Sequence, residues 1–263
     1  MDERPIGLMD SGLGGLSVMR VLHKQLPRES LIFVGDQGHF PYGTKSQEEL
    51  QHLVLNIGHF LVDQGIKMMI VACNTATGAA LPLLQRVLPV PVIGVIEPGA
   101  IAAVHHHLQT VGVIGTASTI AKGAYPATIH RLDPQMKVFS HAAQEMVPIV
   151  EHGLTGTPQA QTTVNLALAF FDQHPVDGLI LGCTHFPFLT PEIQQKMSSD
   201  VLLIDPAYET IKQAQTMLTD RDLLANQGTG TIKLFTTGER AELVAGAERW
   251  LAGQFTSCDH VDL

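Results

Sequence analysis

Short apolar runs of about four to eight residues, rich in Val, Ile and Leu, recur along this chain with helix-like segments between many of them. Runs of that kind fit strands buried on both faces, which require helices above and below the sheet. Parallel α/β architecture is the expected result. Strands are expected at residues 6–9, 31–35, 68–72, 92–95, 111–115, 137–140, 178–182, 201–204 and 232–235. Helices are expected at 16–26, 47–64, 76–87, 101–107, 119–132, 157–174 and 209–218. At 263 residues the chain can bury one large interior or two smaller ones.

Composition excludes several classes. Hydrophobic residues make up 45% and charged residues 16%, which rules out a disordered chain or a coiled-coil rod. The net charge of −9 argues against a broad nucleic-acid surface. No apolar run approaches the roughly 20 residues needed to cross a bilayer, and the acidic MDERPIGLMD start does not read as a secretory signal. Cysteines at 73, 183 and 258 make no disulfide framework. A cytoplasmic protein with reduced thiols and no membrane partner is expected.

Two stretches end alike. MMIVACNTATG (68–78) and LILGCTHFPFL (179–189) each run from an apolar strand into a cysteine and hydrogen-bonding residues. This similarity is consistent with an internal repeat, and equally with chance likeness between buried strands. A boundary near residues 97–99 fits the interruption by proline and glycine.

Ligands of α/β sheets gather beyond the carboxyl ends of the strands. At such ends stand Asp10 and Ser11, Asp36, Cys73 with Asn74 and Thr75, Thr116 and Thr119, and Cys183 with Thr184 and His185. A thiol with a free pKa near about 8.5 can act as a nucleophile or as an acid and base. Asn74, Thr75 and Thr184 could hold a carboxylate beside helix-start N–H groups. His185 or Glu151 could carry or orient a proton near Cys183.

Plainer roles are available to each. Buried cysteines are often inert, Asn74, Thr75 and Asp10 could cap turns, Asp36 could brace a loop, His185 could be a satisfied structural histidine, and Glu151 could end a helix at solvent. The SGLGGLS turn (11–17) completes neither a dinucleotide fingerprint nor a phosphate loop, and no GxSxG elbow is present. His105, His106 and His107 are consecutive and would diverge on a helix, while Cys258 and His260 lack convergent partners, so no metal site is expected. Trp250 reads as C-terminal helix packing.

Taken in order, GLMDSGLGGLSV (7–18), FVGDQGHFPYG (33–43), IVACNTAT (70–77), VPVIGVIEPG (90–99), VGVIGTASTI (111–120), MVPIVEHG (146–153) and LILGCTHFPFL (179–189) resemble the glutamate racemases of the aspartate/glutamate racemase family. The resemblance spans most of the chain. It implies an α/β fold of two related, pseudo-symmetric three-layer domains with mostly parallel central sheets, formed by residues 1–97 completed by 207–263, and by 98–206. It also implies cofactor-independent interconversion of L- and D-glutamate for peptidoglycan synthesis, and a homodimer.

By the same resemblance, Cys73 and Cys183 are the catalytic thiols, with Asp10 supporting the first and Glu151 and His185 the second. Asp10, Ser11, Tyr42, Gly43, Asn74, Thr75, Thr184 and His185 match substrate-contacting positions, and Asp36, Thr116 and Thr119 orient or line the site. Two departures stand out. Gln144 lies in AAQEMVPIVEHG (142–153) where a Cys-Pro pair is common, and Ser118 stands where glycine is common. Both bear on packing and access more than on reaction class. An acidic-amino-acid racemase for aspartate, a thiol amide hydrolase and a non-enzymatic binding module are the competing readings.

Overall fold

The computed structural model describes residues 1–263. Strands β1 (Ile6–Asp10), β2 (Leu31–Gly35), β3 (Met68–Val71) and β4 (Val92–Gly94) lie in the first part of the chain. They are followed by β5 (Thr110–Gly115), β6 (Lys137–Ala142), β7 (Gly178–Gly182), β8 (Leu202–Ile204), β9 (Ile232–Thr236) and β10 (Ser257–His260). The helices are α1 (Leu16–Gln25), α2 (Gln47–Asp63), α3 (Asn74–Val87), α4 (Ile96–His105), α5 (Ala117–Lys122) and α6 (Ala124–Leu132). Beyond them come α7 (Val147–Glu151), α8 (Pro158–Ala167), α9 (Thr190–Met197), α10 (Pro206–Asp220) and α11 (Arg240–Trp250). No helix is long and apolar enough to cross a membrane.

All strand pairings are parallel, in two sheets ordered β10-β9-β2-β1-β3-β4 and β6-β5-β7-β8. The central strands β1, β2, β3 and β7 are buried at every position, which is why they read as continuous apolar runs rather than alternating ones. The block β2-β1-β3-β4 has the same order as β6-β5-β7-β8. The two sheets are therefore variants of one topology, and β3 corresponds to β7. The largest buried apolar cluster joins both, from Ile6 and Leu8 to Leu179 and Leu181.

Local chemistry explains where elements depart from the sequence reading. The expected helix 119–132 is two helices, because Gly123 adopts the left-handed conformation (φ 62°) and ends α5. The Pro98–Gly99 pair does not interrupt anything. It falls in the first turn of α4, where a proline forfeits no intrahelical hydrogen bond. The expected helix 157–174 stops at Ala167 and tightens into a 3-10 turn, Ala169–Asp172. Strand β10, SCDH, lacks an apolar run and was not expected; it is an edge strand that places Cys258 inward and leaves its neighbours Asp259 and His260 exposed. Trp250 ends α11 and stacks on Phe188, with ring centroids 4.0 Å apart.

Candidate active site

Helix α3 begins immediately after β3, and Cys73 is its N-cap. The Cys73 Sγ accepts the Ala76 N–H at 3.4 Å and lies 3.8 Å from Ser11 Oγ. The first turn of a helix leaves N–H groups without intrahelical partners and carries positive potential. Cys73, Asn74 and Thr75 therefore sit at a site suited to negative charge. Burial, and then the nearby Asp10 carboxylate, push the Cys73 thiol well above its ordinary range. Its resting form is the thiol.

Asp10 closes β1 and is completely buried. Its Oδ2 accepts the Gly12 and Gly15 N–H groups at 3.2 and 3.0 Å, shaping the SGLGG turn, and its Oδ1 accepts the Thr184 hydroxyl at 3.2 Å. Burial raises Asp10 to about 6 despite the opposing His185 charge and these donors. Gly14 and Gly15 have no room for a side chain. A Cβ on Gly14 would strike Thr184 and His185, and one on Gly15 would strike Asp10 and Phe33.

Cys183 follows β7 at the position corresponding to Cys73. Its Sγ lies 3.6 Å from His185 Nδ1, and His185 Nε2 lies 2.5 Å from Glu151 Oε1. Glu151 also accepts the Leu13 N–H at 3.2 Å. Burial works against a charged His185, but its hydrogen bonds to Cys183 and Glu151 prevail and hold the imidazole well above its usual range. Burial likewise opposes ionisation of Glu151; the His185 bond outweighs it and keeps the carboxyl below the usual range. His185 is consequently an imidazolium that donates from both nitrogens.

Both thiols line one cavity of about 400 Å³, together with Ser11, Tyr42, Gly43, Asn74, Thr75, Thr116, Thr184 and His185. Asp10, Glu151 and Thr119 stand behind this wall and act on it through neighbours. No lysine or arginine lines the cavity. Charge compensation for an anion must come from hydroxyls, amides, helix-start N–H groups and His185. The hydroxyls of Thr75, Thr116 and Thr119 form a triangle with sides of 3.0, 3.3 and 3.1 Å, joining the start of α3 to that of α5.

The family model for Asp/Glu/Hydantoin racemase matches residues 6–214. A glutamate racemase from Limosilactobacillus reuteri is 59% identical over 263 residues, covering 100% of this chain and 98% of the relative. The chain belongs to the aspartate/glutamate racemase family. Among solved structures, glutamate racemase isoform RacE1 from Bacillus anthracis superposes with a TM-score of 0.96 at 41% identity, covering 100% of this chain and 99% of that one. The Francisella tularensis glutamate racemase in complex with D-glutamate gives 0.92 at 33% identity, covering 100% and 98%.

Against this racemase frame, several residues around the site were not singled out by the sequence. Phe40, Pro41, Thr44, Glu145, Val147 and Pro148 line the cavity, as does Gln144, which the sequence marks only as a departure. The Gln144 Oε1 accepts the Ala117 N–H at 3.3 Å, tying the α7 approach to the start of α5. Ser118 stands in the first turn of α5, half-buried and outside the cavity wall. Asp36 braces the 37–44 loop: it accepts the Tyr42 hydroxyl at 2.5 Å and the Thr237 hydroxyl at 2.6 Å, and pairs with His39 at 2.8 Å. The Tyr42 hydroxyl is thus committed to Asp36, while Tyr42 also lines the cavity. Thr237 comes from beyond β9, too far along the chain for any local pattern to connect it to Asp36.

Proposed function

We propose that this chain interconverts L-glutamate and D-glutamate by moving a proton between two thiols on opposite faces of the substrate Cα, with no bound cofactor. Near-complete alignment with glutamate racemases and likeness to a racemase crystallised with D-glutamate support the substrate. The observation that carries the mechanism is the placement of Cys73 and Cys183. They follow corresponding strands of two sheets with one topology and open into one cavity.

In this reading one thiolate removes the α-proton and the other thiol delivers a proton to the opposite face of the planar centre, the roles exchanging in reverse. By family resemblance Cys73 abstracts from D-glutamate and Cys183 from L-glutamate. A thiol raised by burial, like Cys73, gives a strong base once deprotonated, as a weakly acidic Cα–H requires. The substrate ammonium adds a cation to a cavity whose own basic side chain, His185, stands beside Cys183. Ser11, Asn74, Thr75 and Thr184, with the α3 N-terminus, stabilise the carboxylate as carbanion charge develops. His185 and Glu151 hold a proton beside Cys183.

The same reading gives a cytoplasmic homodimer supplying D-glutamate for peptidoglycan synthesis. It divides the chain into 1–97 with 207–263, and 98–206; the pairing of β9 onto β2 supports that division. The test is incubation of purified protein with L-glutamate in deuterated water, following D-glutamate by chiral analysis and deuterium at Cα by mass. Deuterated D-glutamate is the expected product. Folded protein that yields neither exchange nor inversion overturns the proposal.

A further inference from the structure

We propose that Tyr125 is a positioning residue that acts through Asn74. This rests on the reading above in which Asn74 contacts the substrate. Tyr125 lies on α6, 51 positions from Asn74 in sequence, and its hydroxyl donates to Asn74 Oδ1 at 2.7 Å. Both residues are buried, Tyr125 to 2% and Asn74 to 5% exposure.

The phenol is the donor in this pair. Burial, and then the nearby Asp205 charge, push Tyr125 far above its ordinary range, so it keeps its proton. A neutral amide has one acceptor and one donor end. With Oδ1 engaged behind the wall, the amide is oriented so that Nδ2 is left for the cavity, which Asn74 lines. The opposite orientation would turn the Oδ1 acceptor toward a substrate carboxylate, which repels it. The Tyr125 hydroxyl, seated on Oδ1, biases the amide against that repulsive alternative.

Glycines on separate elements make room for the ring. A Cβ on Gly99 would come within 3.1 Å of Tyr125 Cε1, and a Cβ on Gly182 within 3.1 Å of Cε2. Gly99 belongs to the first turn of α4, and Gly182 ends β7 immediately before Cys183. The slot thus aims the hydroxyl from the Cys183 half of the molecule at the residue following Cys73. Tyr125 is therefore a link between the two half-sites that contributes no atom to the reaction.

A double-mutant cycle tests this. Wild type, Tyr125→Phe, Asn74→Ala and the double variant are compared by kcat/KM and by the rise in Tm that saturating D-glutamate produces, which reads binding apart from turnover. Phenylalanine fills the same slot, so apo stability should stay close to wild type. Tyr125→Phe should lower kcat/KM about tenfold in the wild-type background and less than about twofold in the Asn74→Ala background, and should shrink the glutamate-induced rise only where Asn74 is present. Equal losses in both backgrounds, or no loss in the first, overturn the inference. So does failure of Tyr125→Phe to fold, because the hydroxyl would then serve the fold. Undiminished turnover and binding in Asn74→Ala would sink both the substrate role of Asn74 and this inference. A damaging Asn74→Ala with an additive Tyr125→Phe sinks this inference alone.

Discussion

Asp10, at the end of β1, accepts the hydroxyl of Thr184, beyond the end of β7, at 3.2 Å. The carboxylate that shapes the turn after β1 therefore also fixes the residue next to Cys183. Ser17 reinforces the link, its hydroxyl lying 2.8 Å from the Thr184 carbonyl. Neither half-site is built by its own sheet alone.

Replacing either thiol should remove racemisation while sparing the fold. Cys73→Ala and Cys183→Ala are each expected to lower kcat by at least about 10²-fold, the lower range for a lost acid–base group. Turnover of both enantiomers and a thermal melt check this. Full turnover in either folded variant would end the two-thiol reading.

Glu151 holds His185 and the Leu13 N–H at once, so Glu151→Gln weakens a charge-assisted bond without leaving a hole. We expect kcat/KM to fall about tenfold in both directions, since enantiomers are isoenergetic and the two ratios must change together. With its carboxylate partner gone, His185 loses its proton more readily, and the pH–rate profile should move on the limb governed by the imidazole. An unmoved profile would show that His185 takes its protonation from elsewhere.

Asp10 gives a signed pH dependence of stability. Its folded pKa, about 6, lies above the ordinary 3.8, so the folded state holds a proton that the unfolded chain gives up between those values. Its contribution is full below about pH 4 and is lost as pH rises through 6, a change of about 3 kcal/mol. Asp10→Asn lacks this loss. The Tm difference, variant minus wild type, should therefore grow from pH 4 to pH 7. A difference that stays flat or shrinks over that window contradicts the burial of an acid there.

Gly14→Ala tests the closeness of the turn to Cys183. A methyl group at that position meets Thr184 and the His185 ring, so the imidazole must move away from the sulfur. The expected stability cost is about 1–3 kcal/mol, with a loss of activity of at least about tenfold. Near-normal kinetics would mean that the ring can yield without leaving Cys183.

The order of strands and helices was legible because buried parallel strands write themselves as apolar runs, and the loops that follow carry their chemistry in adjacent residues. Cys73 with Asn74 and Thr75, or Cys183 with Thr184 and His185, are such neighbours. What stayed illegible is contact at a distance. Nothing local marks Tyr125 as the partner of Asn74, Thr237 as that of Asp36, or Ser17 as that of the Thr184 carbonyl. The polar strand β10 escaped for a different reason: its edge position removes the need for apolar residues on both faces. Gly123 looked like a residue within a helix because its left-handed backbone, not its hydrophobicity, breaks the helix.

The shared order of β2-β1-β3-β4 and β6-β5-β7-β8 has a consequence for handedness. A chain of L-residues cannot contain a mirror plane, yet the proposed substrates are mirror images of each other. Repeating one unit by rotation is the nearest substitute available to it, because two copies facing each other can offer like groups to either side of a flat carbon. The resulting even-handedness is approximate. Cys183 has an imidazolium beside it and Cys73 has a serine, so each enantiomer meets a differently furnished half of an otherwise balanced enclosure.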